Sequence, residues 1–346
     1  MDTVASLLKG ELARLGWVQA DLARVLGWQV QTLSELMQDK RRLDAGMALD
    51  LAQLTARTAG EWLAAQAAAD VAKVENRPET PDRLSQIAAR IDLEKQVPVR
   101  ELIKRGAISA TDPEIQAREI AALLGADPTL GVSAKRSTLA FTRTQTAWVA
   151  LARKQAGRID VARYDKERFA KLVESLPTRI QEPVDFLFLP DEFATAGVGL
   201  VYVKPFPGGR MDGVSMGLGA NPVIALSGRG KRLDKVLFTL LHECAHVVND
   251  HWVQSPRLHE GGEECVEGED DIEQAMNDLA TSWIFPTGIP SLTGSVNKQT
   301  IANFAESFGV SPAMIVGHLQ HRSAIDWSSV LGRGLPSVDE VLAKWP

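Results

Sequence analysis

The sequence predicts an α+β protein that is mostly α. Three observations carry that prediction. Leucines recur at helical spacing through the first 75 residues; four short apolar runs with strand character follow one another between residues 184 and 228; and after them comes a long apolar helix carrying His242-Glu243-x-x-His246, with further helical patterns to the end. The order implied is an all-α N-terminal domain over 1–75, a helical segment over 76–140 and a C-terminal domain with a small sheet over 141–346.

In the first domain, "VASLLKGELARLG" places Leu7, Leu8, Leu12 and Leu15 on one helical face. "QADLARVLG" is a short second helix that ends at Gly27, and "VQTLSELMQ" follows after a few residues. "DAGMALDLAQLT" and "GEWLAAQAAADVAKV" make five helices. "ENRPETP", 75–81, reads as a polar linker with two prolines. "PDRLSQIAARIDLEK", "VRELIKRGAI" and "DPEIQAREIAALLG" are again helical, with Asp112 and Asp127 before prolines at helix starts or turns. "VDFLFL", "GVGLVYVKPFPGG", "GVSMGL" and "NPVIALSG" are the expected strands. Helices resume with "DDIEQAMNDLATSWIFP", "NKQTIANFAESFG" and "SPAMIVGHLQHR", the last with Ser311 as cap ahead of Pro312.

Composition narrows the class. A chain of 346 residues, 45% hydrophobic and 24% charged, is ordinary for a globular protein of two or three domains. No apolar run approaches the roughly 20 residues of a membrane span, and the acidic N-terminus is unlike a secretory signal. Two cysteines, Cys244 and Cys265, imply no disulfide framework, so a cytoplasmic location is expected. A net charge of -6 gives no general attraction to nucleic acid, and any such binding must come from a local patch.

The chemistry begins with "LLHECAHVVNDH". On a helix, His242 and His246 lie four apart on one face and can bind one metal, while Glu243 beside them can take a proton from water that zinc has acidified. A catalytic zinc needs a third protein ligand and an open position. The metzincin extension requires Gly at 249 and His at 252, where the sequence has Asn249 and Trp252. A later helix supplies Glu273, with Asn277 one turn on to hold the other ring nitrogen of a ligand histidine. His251, His259, Glu269, Asp270, Asp271 and Asp278 are rivals for the third place. Residues 259–271 read as a solvated acidic loop with Cys265 a bystander, and Cys244 as a packing residue. His318 and His321, three apart on the last helix, are candidates for binding substrate or stabilising an oxyanion.

These stretches, with "RMDGVSMGLGANPVIALSGRGKRLDKVLFTLLHECAHVVNDH", "IEQAMNDLATSWIFP" and "SPAMIVGHLQHR", resemble the ImmA/IrrE metallopeptidase family over residues 145–325. The resemblance implies a zincin-like, gluzincin-type fold. It implies zinc, or another divalent metal such as Mn2+, on His242, His246 and Glu273, one per chain, with Glu243 as general acid and base. It also implies a narrow peptidase that inactivates a repressor. Met276 stands where the family usually has alanine, an apolar exchange.

At the other end, "GWVQADLARVLGWQVQTLSELMQDKRRL" has a helix-turn-helix pattern. Ala23 is small where helices cross, Gly27 makes the turn, and Leu33 and Leu36 face inward. Gln29, Gln31, Thr32 and Glu35 fall on or near the exposed front of the recognition helix, with Lys40, Arg41 and Arg42 as phosphate contacts. Residues 3–75 resemble Xre/HigA-type repressors, which implies a homodimer on double-stranded operator DNA. Residues 1–75 carry eight basic against ten acidic side chains, so DNA binding would rest on the local basic cluster. The expected function is a DNA-binding regulator with a zinc endopeptidase domain that cleaves a repressor or antitoxin in stress or toxin–antitoxin control, with no membrane association. The rival is a non-catalytic, antitoxin-like repressor whose zinc domain senses or binds a partner; Glu243 favours the enzyme, since a binding domain has no use for the base. A third reading, hydrolysis of a small molecule, sits poorly with a DNA-binding domain.

Overall fold

A computed structural model describes residues 3–125, 141–253, 257–259, 270–288 and 296–345. The fold is α+β and mostly α. The chain divides into two units, Met1–Arg90 and Ile91–Pro346.

The first unit holds α1 (Val4–Leu15), α2 (Gln19–Leu26), α3 (Val30–Met37), α4 (Ala45–Ala52), α5 (Ala59–Glu75) and most of α6 (Thr80–Gln96). Their inward faces meet in a core of Leu8, Leu22, Leu33, Leu36, Leu51 and Trp62, each fully or almost fully buried. Ala23 is fully buried where α2 meets its neighbours. Gly27 takes φ 70°, a left-handed conformation that ends α2 and lets α3 begin three residues later. α2 opens at Gln19, but its cap comes from Asp21, whose carboxylate accepts the Val18 N–H at 3.1 Å. The polar stretch expected as a linker is a tight turn of residues 76–79, because α6 starts at Thr80.

The second unit is built around a four-stranded sheet: β1 (Gly199–Tyr202), β2 (Gly213–Leu218), β3 (Asn221–Leu226) and β4 (Arg257–His259), in the order β1-β3-β2-β4. β1 and β3 are parallel, and the other pairs antiparallel. Strand alternation sends side chains to two cores. Val201, Val214, Met216, Val223 and Ala225 pack with α7 (Val99–Lys104), α8 (Pro113–Leu124) and α9 (Arg143–Ala156), where the Trp148 indole donates to Val203 O at 2.8 Å. Leu200, Ile224 and Leu226 face the other core. That core is closed by α10 (Lys166–Arg179), α11 (Leu189–Thr195), α12 (Leu233–Val248), α13 (Asp270–Ile284), α14 (Lys298–Phe308), α15 (Pro312–His321) and α16 (Asp339–Leu342).

Two expectations need correction, and three elements were missed. "VDFLFL" is not a strand: a single helical turn, Pro183–Phe186, leads into α11. Pro183 and Pro190 suit first helical turns, Asp185 accepts the Gln181 and Glu182 N–H groups, and Phe186, Leu189 and Phe193 bury at helical spacing. The helices α9 and α10 and strand β4 were not foreseen. Ser311 precedes Pro312 at the start of α15, but its side chain makes no capping bond. Asp127 lies outside the described residues.

Candidate metal centre

The site grows from α12, a 16-residue helix buried along nearly its whole length. Asp234 in its first turn is gripped by Arg232 at 3.0 and 2.7 Å, and Arg232 also donates to Gln320 Oε1 at 2.8 Å, fixing the helix start against α15. A Cβ at Gly317 would fall 2.1 Å from Asp234 Oδ2, so glycine is what lets α15 approach this closely. The far end of α12 closes at Asn249, whose side chain donates to Ala245 O at 2.8 Å.

Four residues apart on α12, His242 and His246 are 0% and 2% exposed. Their Nε2 atoms lie 3.1 Å apart. Glu273, from the second turn of α13, brings Oε2 to 3.0 Å from His242 Nε2 and Oε1 to 3.4 Å from His246 Nε2. Among the described residues, these three form a group able to hold a metal ion. Asn277, one turn along α13, has Oδ1 2.9 Å from His242 Nδ1. An amide oxygen can only accept, so Nδ1 carries the hydrogen and Nε2 keeps its lone pair. Two nitrogens and a carboxylate converging within one small space can share a cation between them. Tetrahedral zinc with bonds of about 2.0–2.1 Å separates its donors by roughly 3.3 Å, which these distances match. Burial alone would raise the Glu273 carboxyl; its contacts with the His242 and His246 rings overcome it and hold Glu273 well below the ordinary carboxylate range.

Glu243 sits beside the group, 1% exposed, with the Ser215 hydroxyl of β2 as a polar neighbour. Burial pushes its carboxyl well up, and the charges of Glu273 and Asp212 add to the rise, against a lowering by Ser215. Strand β2 leaves it room: a Cβ at Gly213 would stand 2.8 Å from Glu243 Oε1. A buried carboxyl whose pKa is raised, beside a cation-binding group, has the properties of a general base and acid.

The rivals separate. His251 meets His246 at Nδ1, 3.0 Å away, rather than joining the Nε2 atoms. Asp271 and Asp278 are exposed, and Asp278 accepts from Gln274 at 2.8 Å. The side chains of His259 and Asp270, and all of Glu269 and Cys265, lie outside the described residues. Cys244 is fully buried in the core, where burial and then Glu243 raise its thiol. His318 and His321 are not in the three-residue group: His318 packs edge-on against Phe285 at 4.7 Å, and His321 lies 6.4 Å from the Phe238 ring. Burial first, then Arg322 and His321, lower His318 to about 4.

In the N-terminal unit, Gln29 and Gln31 are exposed at the start of α3, and Thr32 and Glu35 are half-buried. Gln31 donates to Glu35 at 3.0 Å. Lys40, Arg41 and Arg42 are exposed, but Arg41 pairs with Glu35 at 3.2 Å and Arg42 with Asp70 at 2.6 Å. No described helix is long and apolar enough to cross a membrane.

The chain matches no known protein family and no curated protein at a significant level. Among solved structures, the crystal structure of a hypothetical protein from E. coli is 32% identical over 25% of this chain and 88% of that one, with a TM-score of 0.24.

Proposed function

We propose that the chain is a DNA-binding regulator carrying a zinc-dependent endopeptidase that cleaves a repressor or antitoxin. The observation that supports the enzymatic half is the convergence of His242, His246 and Glu273 beside the buried carboxyl of Glu243. Two imidazoles and one carboxylate suit zinc, with Mn2+ a second choice. When bound, the cation supplies Lewis-acid polarisation of a carbonyl and acidifies water toward neutral pH. His242 and His246 would hold it through Nε2 together with the Glu273 carboxylate, and Asn277 keeps the His242 ring in the tautomer this requires. Glu243 takes the proton of the attacking water and passes it to the leaving amine nitrogen as the peptide C–N bond breaks. His318 or His321 would face substrate from α15.

The N-terminal helices would bring two copies to an inverted repeat, with α3 in the major groove and Lys40, Arg41 and Arg42 on phosphates. The pairing of Arg41 and Arg42 within the chain favours, as a second reading of the N-terminal helices, recognition of protein. The rival for the C-terminal domain is a non-catalytic repressor whose zinc domain senses or binds a partner, and Glu243 beside the metal group weighs against it. Incubating the zinc-loaded wild type, and separately Glu243→Gln, with a peptide library from a digested proteome distinguishes them. New N-termini that appear with wild type and not with Glu243→Gln support the peptidase. Equal yields, or none, would leave the non-catalytic reading.

A further inference from the structure

We infer that His251 is a positioning residue for His246: its Nδ1 accepts the His246 Nδ1–H and so fixes the tautomer and plane of that ligand ring. The inference rests on the metal-centre reading above. The two Nδ1 atoms are 3.0 Å apart, with ring centroids 5.2 Å apart and planes tilted by 56°. With no cation to share, two lone pairs at that distance repel, so one nitrogen carries hydrogen; the Nε2 lone pairs of His242 and His246, 3.1 Å apart, would instead share the metal. If it were His251 in a neutral pair, His246 would carry its own hydrogen on Nε2, which faces His242 Nε2 at 3.1 Å and Glu273 Oε1 at 3.4 Å. His246 would then have no lone pair for a metal. With the hydrogen on His246 Nδ1, Nε2 is ready to ligate. His251 thus does for His246 what Asn277 does for His242.

The chain around His251 is built to hold it there. Directly after α12, Asp250 adopts φ 60° and turns the backbone, and its carboxylate pairs with Lys166 at 2.5 Å. On the other side, Trp252 packs edge-on against Tyr164, centroids 5.6 Å apart and planes at 80°, and the Tyr164 hydroxyl donates to Val247 O at 3.4 Å. Strand β2 backs the turn so closely that a Cβ at Gly217 would stand 3.0 Å from Trp252 O. A one-turn segment, His251–Val253, is therefore tied to α10, β2 and the end of α12.

Zn2+ titration of the full-length chain against a chromophoric chelator tests this, with thermal unfolding of each metal-free variant as a folding control. His251→Ala and His251→Phe should bind Zn2+ about 10–100-fold more weakly than wild type. His251→Asn should bind within a few-fold of wild type, because its Oδ1 stands two bonds beyond Cβ, as the histidine Nδ1 does, and can accept the same hydrogen. The visible spectrum of the Co2+-loaded Asn variant should match wild type, and that of the Phe variant should not. Wild-type affinity in His251→Phe with loss in His251→Asn would show that the ring merely packs, and would overturn the inference. So would wild-type affinity in His251→Ala; if that variant does not fold, the Asn and Phe pair decides. Wild type binding Zn2+ no better than His246→Ala would instead remove the metal centre itself, and the role of His251 with it.

Discussion

Placing a methyl group on Gly213 should strain the protein at its candidate base. Gly213 opens β2 and is bonded into the sheet on both sides, opposite Leu226 of β3 and His259 of β4. A Cβ there would stand 2.8 Å from Glu243 Oε1, 2.9 Å from Glu243 Cγ and 3.0 Å from Thr239 Cγ2. Favourable contacts lie at about 3.5–4.0 Å, so all three fall on the repulsive wall. The ladders stop the strand from retreating, and Glu243, 1% exposed, has no open side to swing into. Overpacking of this kind costs about 1–3 kcal/mol. For a unit of this size, that is a fall in Tm of about 2–12 °C. Thermal unfolding of metal-free Gly213→Ala measures it, with Gly10→Ala as control: Gly10 lies in α1 with nothing within 4 Å of its Cβ position, so alanine there should be neutral or stabilising. Gly213→Ala unfolding at the wild-type temperature would refute the reasoning, since Glu243 would then not be confined by β2.

Other expectations follow from the same geometry. In metal-free protein the raised Glu243 carboxyl keeps its proton in the folded state where the unfolded chain has lost it, so its stability contribution is full below about pH 4.3 and is lost as pH rises. Glu243→Gln should therefore unfold at higher temperature than wild type at neutral pH, with the gap closing toward acid; a gap that widens toward acid would contradict this. His318, lowered to about 4 from 6.5, has the opposite sign: its contribution is present above pH 6.5 and lost as pH falls toward 4. One imidazole signal, absent in His318→Gln, should titrate near pH 4 by NMR, and a midpoint near 6.5 would contradict the burial. For the N-terminal unit, Lys40→Ala/Arg41→Ala/Arg42→Ala in the full chain should weaken binding to all DNA and flatten its salt dependence, while Gln31→Ala or Thr32→Ala should relax sequence preference by about 1–3 kcal/mol. If wild type shifts none of its own upstream DNA at low salt, the N-terminal helices serve protein recognition instead.

Much of this architecture was legible because the residues involved obey a short local period. His242, Glu243 and His246 are placed by helix spacing alone, and Leu33, Leu36 and Gly27 by helical face and turn chemistry. The run at 184–189, apolar but for Asp185, is too short to show its helical spacing, and the prolines on either side of it, Pro183 and Pro190, start helices rather than bound a strand. β4 is three residues long and gains its identity only from pairing with β2. Helix α9 did carry a local signal, since Thr142 and Gln145 form a reciprocal cap, but its mixed polarity hid the buried face. The role of His251 depended on the left-handed Asp250, which bends the chain back on α12 in a way residue spacing does not reveal. Glu273 and Asn277 were foreseeable as a pair one turn apart, yet their meeting with α12 is a tertiary event across a long stretch of sequence, as the His242–Asn277 separation of 35 shows.

Whether His242, His246 and Glu273 hold a metal is decided by elemental analysis of purified full-length protein. Wild type and Glu243→Gln should each carry about one zinc per chain, because Glu243 is no ligand. His246→Ala should carry almost none, and Glu273→Ala far less than Asp271→Ala, whose exposed carboxylate is outside the group. Equal metal in wild type, His246→Ala and Glu273→Ala, or none in any of them after zinc loading, would contradict the account.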